Sequence, residues 1–153
     1  MESPMTATPH TTDGRVTVAS DGEVELDTAD LEQFELRTEF HAIDCSTGTT
    51  TAGAWRGVGL GALLAYAGVE ESATHVVVTG RDGYRVCVPI AVALDALLAV
   101  SRVDDADAKS LPRFVGSGVE STRAVSNVQR IETVRLAPAE RAHDYENLSP
   151  AVD

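Results

Sequence analysis

Residues 55–68, WRGVGLGALLAYAG, contain the clearest helix in the sequence. Four apolar residues recur in this stretch at the spacing i, i+3, i+4 and i+7: Leu60, Leu63, Leu64 and Ala67. That spacing places them on one side of a helix and predicts that this side faces the hydrophobic core. Gly68 is typical of the residue that ends a helix. The stretch therefore predicts a short helix, buried along one side, that begins soon after Trp55, the single tryptophan.

A predicted strand and a predicted loop precede this helix. Polar and apolar residues alternate from Phe34 to Ile43, which predicts a strand. The small polar residues from Cys45 to Gly53 predict a loop with the cysteine at its mouth. A cysteine in this position is a candidate ligand for a soft metal or a candidate nucleophile. The adjacent Asp44 disfavours the nucleophile, because like charge opposes a free thiolate, whereas a bound metal enforces deprotonation.

The rest of the sequence predicts short strands, at residues 15–19, 23–26, 74–79, 84–90 and 111–115. Residues 123–125 and 130–136 predict two closing strands, or a strand and a turn. Short helices are predicted between them, at residues 29–33 and 91–100. The turn Gly80–Gly83 joins two of the strands into a hairpin, and Pro89 favours an edge position for the second strand. Because strands outnumber helices, we expect an α+β fold with mixed or antiparallel sheets rather than a doubly wound parallel sheet.

The chain of 153 residues is long enough for a single domain with a hydrophobic core. Residues 1–13 are rich in Thr, Pro and Ser and predict a disordered N-terminal tail. Residues 138–153 are polar and show no periodicity, which predicts a C-terminal tail with a possible helix at 139–145. We therefore assign the domain to residues 14–137.

Acidic residues dominate the charge of the sequence. Asp and Glu number 24 against 12 for Lys and Arg, which gives a formal net charge of -12, and Lys109 is the single lysine. Such a chain repels nucleic acid and anionic membrane surfaces, so we expect neither as a partner. The composition is typical of a salt-adapted protein. Because no apolar run reaches the roughly 18 residues of a membrane span and the start does not resemble a signal peptide, we expect a cytoplasmic location.

The two cysteines, Cys45 and Cys87, are too few for a disulfide scaffold. No pair of Cys or His residues has the spacing of a structural zinc site. Cys87 lies between two valines of a predicted strand, so we interpret it as a packed residue.

Six segments form an ordered set: VELDTADL at 24–31, HAIDCSTG at 41–48, WRGVGL at 55–60, LLAYAG at 63–68, DGY at 82–84 and RIE at 130–132. Taken together, the set resembles the molybdopterin-binding domain of the sulfite oxidase family, over about residues 15–137. The resemblance implies the fold of that domain and a molybdenum–molybdopterin cofactor. It also implies an enzyme, an oxidoreductase that catalyses two-electron redox with transfer of an oxygen atom at molybdenum.

The resemblance also implies which residues form the site. Cys45 matches the cysteine that ligates molybdenum in the family, and a soft thiolate suits such a metal. The residues expected to contact the cofactor are His41, Thr47, Gly48, Arg81, Tyr84, Arg113 and Arg123. The implied partner is a small-molecule substrate or an electron-transfer partner. The oligomeric state is left open.

Two departures from the family pattern favour an alternative. The His-Gly and Pro-Leu-Arg elements of the family shrink to residues 110–118, where Arg113 is the candidate match. The family's Val-Lys-Trp appears as Val125-Ser126-Asn127, so the lysine expected near the cofactor's phosphate is absent. The alternative is therefore a cofactor-free binding or interaction module with the same fold.

Overall fold

The structure, a computed structural model, describes residues 15–44, 50–68, 70–103, 111–119 and 123–148. It contains nine strands: β1 Val16–Ala19, β2 Glu23–Leu26, β3 Leu36–Asp44, β4 Thr50–Gly59, β5 His75–Gly80, β6 Arg85–Pro89, β7 Leu97–Arg102, β8 Arg113–Val115 and β9 Val128–Val134. The helices are α1 Thr28–Leu31, α2 Leu60–Ala67, α3 Ile90–Leu94 and a 3-10 helix at Ala142–Tyr145.

The strands form two sheets. The first sheet has the order β2-β1-β9-β5-β6, and the second has the order β3-β4-β7-β8. β1 pairs in parallel with β9, whereas the other strand pairs are antiparallel. This confirms the predicted α+β fold with mixed sheets and short helices. The predicted edge position is also confirmed, because β6, which ends at Pro89, is the last strand of the first sheet.

The main core lies where α2 and both sheets meet. The predicted side of α2 is buried, with Leu60 and Leu63 fully inaccessible to solvent. Residues of the first sheet such as Ile131 and residues of the second such as Leu98 and Phe114 belong to the same buried cluster. Burial of each such side chain contributes about 1.5–3 kcal/mol of hydrophobic stabilisation.

A second, smaller cluster lies on the other face of the second sheet. It consists of Trp55, Leu97, Ala99, Val115 and Ala124. Because successive residues of a strand point to opposite faces, β7 contributes to both clusters and is buried on both sides.

This double burial explains one wrong prediction. The predicted helix 91–100 is in fact α3, which ends at Leu94, followed by β7, which begins at Leu97. Residues 96–99 are all buried, so the sequence is apolar without interruption. A continuous apolar run fits a strand with two buried faces as well as a helix, and its periodicity does not distinguish them.

One further prediction is wrong in detail. Residues 50–53, predicted as part of a loop, begin β4 and pair along their length with the end of β3. Thr50 and Thr51 belong to a residue type that favours strands once a partner strand is present. Of the two closing segments, which the sequence left open as two strands or as a strand and a turn, the later one is β9, and residues 123–125 lie outside the strands.

Within the segment that the sequence assigns to a tail, the 3-10 helix at Ala142–Tyr145 and the residues just after it lie against β6. The backbones of Arg85 and Asn147 exchange two hydrogen bonds, of 2.9 and 2.8 Å. Arg85 Nε donates to Tyr145 O at 2.8 Å. The boundaries of the domain stay predictions. Among the described helices, none has the length and apolar character needed to cross a membrane.

Candidate functional site

The turn between β5 and β6 presents two of the predicted site residues, Arg81 and Tyr84. Gly83 has a φ of 91°, a conformation that glycine adopts without strain. Its N–H donates to Gly80 O at 3.0 Å. The Tyr84 N–H donates to Asp82 Oδ1 at 3.0 Å. These bonds confirm the predicted turn and fix the direction in which its side chains leave the backbone.

Arg81 is held against the segment that precedes β9. Its backbone N–H donates to Asn127 O at 3.0 Å, and its Nη2 donates to Asn127 Oδ1 at 3.1 Å. Asn127 has a φ of 50°, in the left-handed region that asparagine enters more readily than most residues. Two bonds to one residue therefore fix both the backbone and the guanidinium of Arg81.

Arg113, on β8, lies against the same segment. Its Nε donates to Ala124 O at 3.1 Å. The next residue, Phe114, donates its backbone N–H to Val125 O at 2.9 Å. Arg113 thus contacts the segment 123–127 near its start, and Arg81 contacts it at its end.

Arg123, at the start of this segment, forms a bidentate ion pair with Glu146. Nε and Nη2 of Arg123 donate to the two carboxylate oxygens at 2.9 and 2.8 Å. The Cys87 N–H donates to Glu146 Oε2 at 2.9 Å. The Glu146 side chain is only 2% exposed. Burial alone would raise the pKa of Glu146, but the bonds from Arg123 and Cys87 outweigh it and hold the pKa below its ordinary value.

This ion pair predicts a pH dependence of stability. Because the folded pKa of Glu146 is lowered, its stabilisation is present in full above the unfolded value of 4.5 and is lost as pH falls through the folded value. We expect Glu146→Gln to lower the free energy of unfolding by about 1–3 kcal/mol at pH 7. Urea denaturation between pH 7 and pH 3 measures the difference from wild type, which should shrink below pH 4.5. A difference that stays constant over this range would contradict the assignment.

Tyr84 lies in the electrostatic field of the same groups. Burial raises the pKa of its phenol, Arg123 opposes this effect, and Glu146 and Asp82 add to it. Tyr84 is therefore a neutral hydrogen-bonding group at pH 7 beside the ion pair.

We define the arginine cluster as Arg81, Arg113 and Arg123, which the segment 123–127 connects. Its three guanidinium groups lie along one short segment of a chain of net charge -12, and Glu146 pairs with the guanidinium of Arg123. Arginine binds phosphate and other oxyanions with paired N–H donors in a fixed plane. The cluster is chemically suited to hold an anionic group.

The structure does not bring His41 to this cluster. His41 lies on the edge strand β3, where its Nε2 contacts Glu39 Oε1 at 2.8 Å. Its carbonyl oxygen accepts a hydrogen bond of 3.2 Å from Trp55 Nε1. Three strand spacings, about 14 Å, separate β3 from the β8 strand of Arg113. Trp55, which contacts His41, and Ala124, which follows Arg123, belong to the same smaller buried cluster. This cluster therefore lies between His41 and the arginine cluster.

Three predicted site residues, Cys45, Thr47 and Gly48, lie outside the described residues. Within the described ranges, no group of three or more His, Cys, Asp or Glu residues could hold a metal ion. Cys87 is 3% exposed, and burial raises the pKa of its thiol to about 11, with Glu146 adding to the effect. The prediction that Cys87 is a packed residue is confirmed.

Sequence analysis missed three residues at or near the site. Asn127 was noted only as a departure from the family pattern, although asparagine before a strand is a signal for the left-handed region. Glu146 lies in the predicted tail and gave no signal, because its partners are distant in sequence. The Arg102 guanidinium lies 5.0 Å from the centre of the Trp55 ring, across the register between β4 and β7.

Two comparisons with known proteins found similarity, one to a family model and one to solved structures. A family model described as the oxidoreductase molybdopterin binding domain matches residues 3–132. Among solved structures, the chain is similar to the sulfane dehydrogenase SoxCD from Paracoccus pantotrophus, with a TM-score of 0.75 and 20% identity. At this identity the likeness shows the fold. The similarity covers 88% of this chain but 41% of that one, so this chain spans less than half of that protein. No curated protein matches the chain.

Proposed function

Because the chain belongs to the family of oxidoreductase molybdopterin-binding domains, we propose that it binds the molybdenum–molybdopterin cofactor, with Cys45 as the protein ligand of the metal. The arginine cluster is the observation that carries this proposal. It would supply the oxyanion-binding groups that an anionic pterin cofactor requires, in a chain whose overall charge would otherwise repel the cofactor.

The described residues fit the phosphate-bearing part of such a cofactor. The side chains of Arg81 and Arg113 are oriented by an amide oxygen and a carbonyl oxygen of the segment 123–127. The Gly83 turn leaves open space where a β-carbon would stand, with no atom within 4 Å. A bound organic group could therefore approach the turn closely.

The cofactor, when bound, would supply two-electron redox chemistry with transfer of an oxygen atom. The chain's own residues would hold and orient it. Arg81 and Arg113 would bind its anionic oxygens, and Tyr84 would donate a hydrogen bond from a phenol that stays neutral at pH 7. The Cys45 thiolate would anchor the metal, and His41, Thr47 and Gly48 remain proposed contacts on that side. The substrate is proposed to be a small molecule, with an electron-transfer partner, in a cytoplasmic setting.

The test is a pair of matched arginine variants. Arg113→Gln removes a charge from the cluster, and Arg130→Gln removes one on β9, where Arg130 pairs with Glu23 and Glu132. In protein made by a host that synthesises the cofactor, we expect Arg113→Gln to reduce retained pterin about tenfold, because a charged hydrogen bond contributes about 1.5–3 kcal/mol. The fluorescence of pterin released on denaturation measures it. Equal retention in both variants would contradict the proposed role of Arg113.

The cofactor-free binding module stays the second candidate, although the family match does not favour it. Glu146 neutralises Arg123, and Asn127 lies near the position where the family carries a lysine, so the cluster has less positive charge than the resemblance implies. In that case wild-type protein and both arginine variants would all be free of pterin while remaining folded.

A further inference from the structure

A cavity of about 570 Å³ lies away from the arginine cluster, beside β2. Its walls come from four parts of the chain: residues 24–26 of β2, Asp30 of α1, the turn residues Gln33 and Phe34, and Tyr66 of α2. None of these residues takes part in the proposed cofactor site. The cavity therefore calls for an explanation of its own.

The cavity runs along the edge of a sheet. Successive side chains of a strand point to opposite faces, so a cavity lined by three successive residues lies beside the strand and not over one face of it. β2 is the outermost strand of the first sheet and pairs with β1 on its other side. An edge strand presents backbone N–H and C=O groups that can pair with another extended chain.

An aromatic pair forms one wall. The rings of Phe34 and Tyr66 meet edge to face, with centroids 5.3 Å apart and planes at 79°. Phe34 packs against the main core, whereas Tyr66 is 61% exposed. Contact with the half-buried Phe34 thus holds an exposed ring in place. A tyrosine ring face attracts cations through its quadrupole.

The charged groups of the cavity are acidic. Glu25 and Asp30 both line it. Each uses a carboxylate oxygen within the fold: Glu25 Oε1 lies 3.3 Å from Arg15 Nη1, and Asp30 Oδ2 accepts the Asp27 N–H at 3.1 Å. Arg15 compensates part of this charge, and Asp30 adds to it without a cationic partner in these contacts. A cationic side chain between the carboxylates and the Tyr66 ring would have both kinds of favourable contact.

We propose that this groove binds an extended basic peptide segment of a partner protein, which adds a strand to β2 and places a lysine or arginine side chain beside Tyr66. The outer edge of β2, which pairs with no other strand among the described residues, supplies the backbone pairing, and the carboxylates and the ring select the charge. A second copy of this chain fits less well, because antiparallel pairing of two β2 strands centred on Val24 would place Glu23 of each copy opposite Glu25 of the other. The proposal is independent of cofactor binding.

The probe is a capped hexapeptide that alternates lysine and valine, titrated into the full chain at low ionic strength and followed by fluorescence anisotropy. We expect saturable binding that Tyr66→Ala weakens about fivefold, the loss of a contact of about 1 kcal/mol. Val103→Ala is the control, because Val103 is 60% exposed and does not line the cavity. This control should bind as wild type does.

Four results would overturn the proposal. The first is equal binding of the same peptide with glutamate in place of lysine. The second is unchanged binding after methylation of the peptide's backbone nitrogens, which removes strand pairing. The third is no saturation by wild type at millimolar peptide. If sedimentation shows dimers of wild-type chain that Glu25→Gln strengthens, the groove is an interface between copies, and the peptide proposal is wrong.

Discussion

Replacing Gly57 by alanine is expected to destabilise the fold by about 3 kcal/mol or more, the upper range for overpacking a core. Gly57 lies on β4, where the register against β7 shifts between Arg56 and Gly57. A β-carbon there would overlap the carbonyl oxygen of Leu98 and would lie 2.6 Å from the α-carbon of Ala99. Both obstacles are backbone atoms of a strand buried on two faces, so neither can rotate away. The central pairing of the second sheet would have to open.

Gly61→Ala is the matched control for this variant. Gly61 lies in α2, and a β-carbon there would meet Leu94 O at an ordinary contact distance of 3.6 Å. Alanine is better than glycine inside a helix by about 1 kcal/mol. Urea denaturation should therefore show a loss of stability for Gly57→Ala and a small gain for Gly61→Ala. If Gly57→Ala unfolds at the same urea concentration as wild type, β4 and β7 do not approach each other as closely as the structure shows at Gly57.

Replacing Cys45 by serine is expected to have the largest effect on the proposed site. Cys45 is the proposed thiolate ligand, and serine is a harder, far weaker donor to a soft metal. Mutation of groups that merely support a metal ligand costs about 10–100-fold in metal affinity. Loss of the ligand itself should reduce retained molybdenum at least as much, and X-ray absorption should show one sulfur fewer on any metal that remains.

Cys87→Ala is the control for Cys45→Ser. Cys87 is buried in β6, and burial raises the pKa of its thiol to about 11, so it is protonated and packed at neutral pH. This variant should keep its molybdenum and its sulfur coordination, with a modest loss of stability. Equal metal and equal sulfur coordination in the Cys45→Ser protein would show that Cys45 is not a ligand.

Local sequence signals predicted the parts of the fold that local interactions determine. The spacing of leucines in α2 and the turn Gly80–Gly83 depend on residues close together in the chain, and both are confirmed. The prediction of β7 as a helix was wrong because its burial comes from two clusters assembled from distant segments. Residues 50–53 looked like a loop because their strand partner, the end of β3, lies across an intervening segment.

In the candidate site, too, the sequence predicted some residues, whereas the contacts between distant segments could not be predicted. The resemblance to the sulfite oxidase family predicted the residues of the arginine cluster as cofactor contacts, and in the structure each of them lies in or contacts the segment 123–127. It did not identify Glu146, because the ion pair with Arg123 forms only when the C-terminal segment lies against β6. Nor did it separate His41 from the arginines, since that separation depends on the order of four strands in the second sheet.

The central claim is that this chain binds a molybdenum–molybdopterin cofactor. The most direct measurement is the molybdenum and pterin content of purified wild-type chain, made in a host that synthesises the cofactor and compared with the same chain from a host that cannot. Near-equimolar molybdenum and pterin in the first preparation, and neither in the second, is the predicted result. Folded protein from the first host that carries neither molybdenum nor pterin would contradict the claim and leave the cofactor-free binding module in its place.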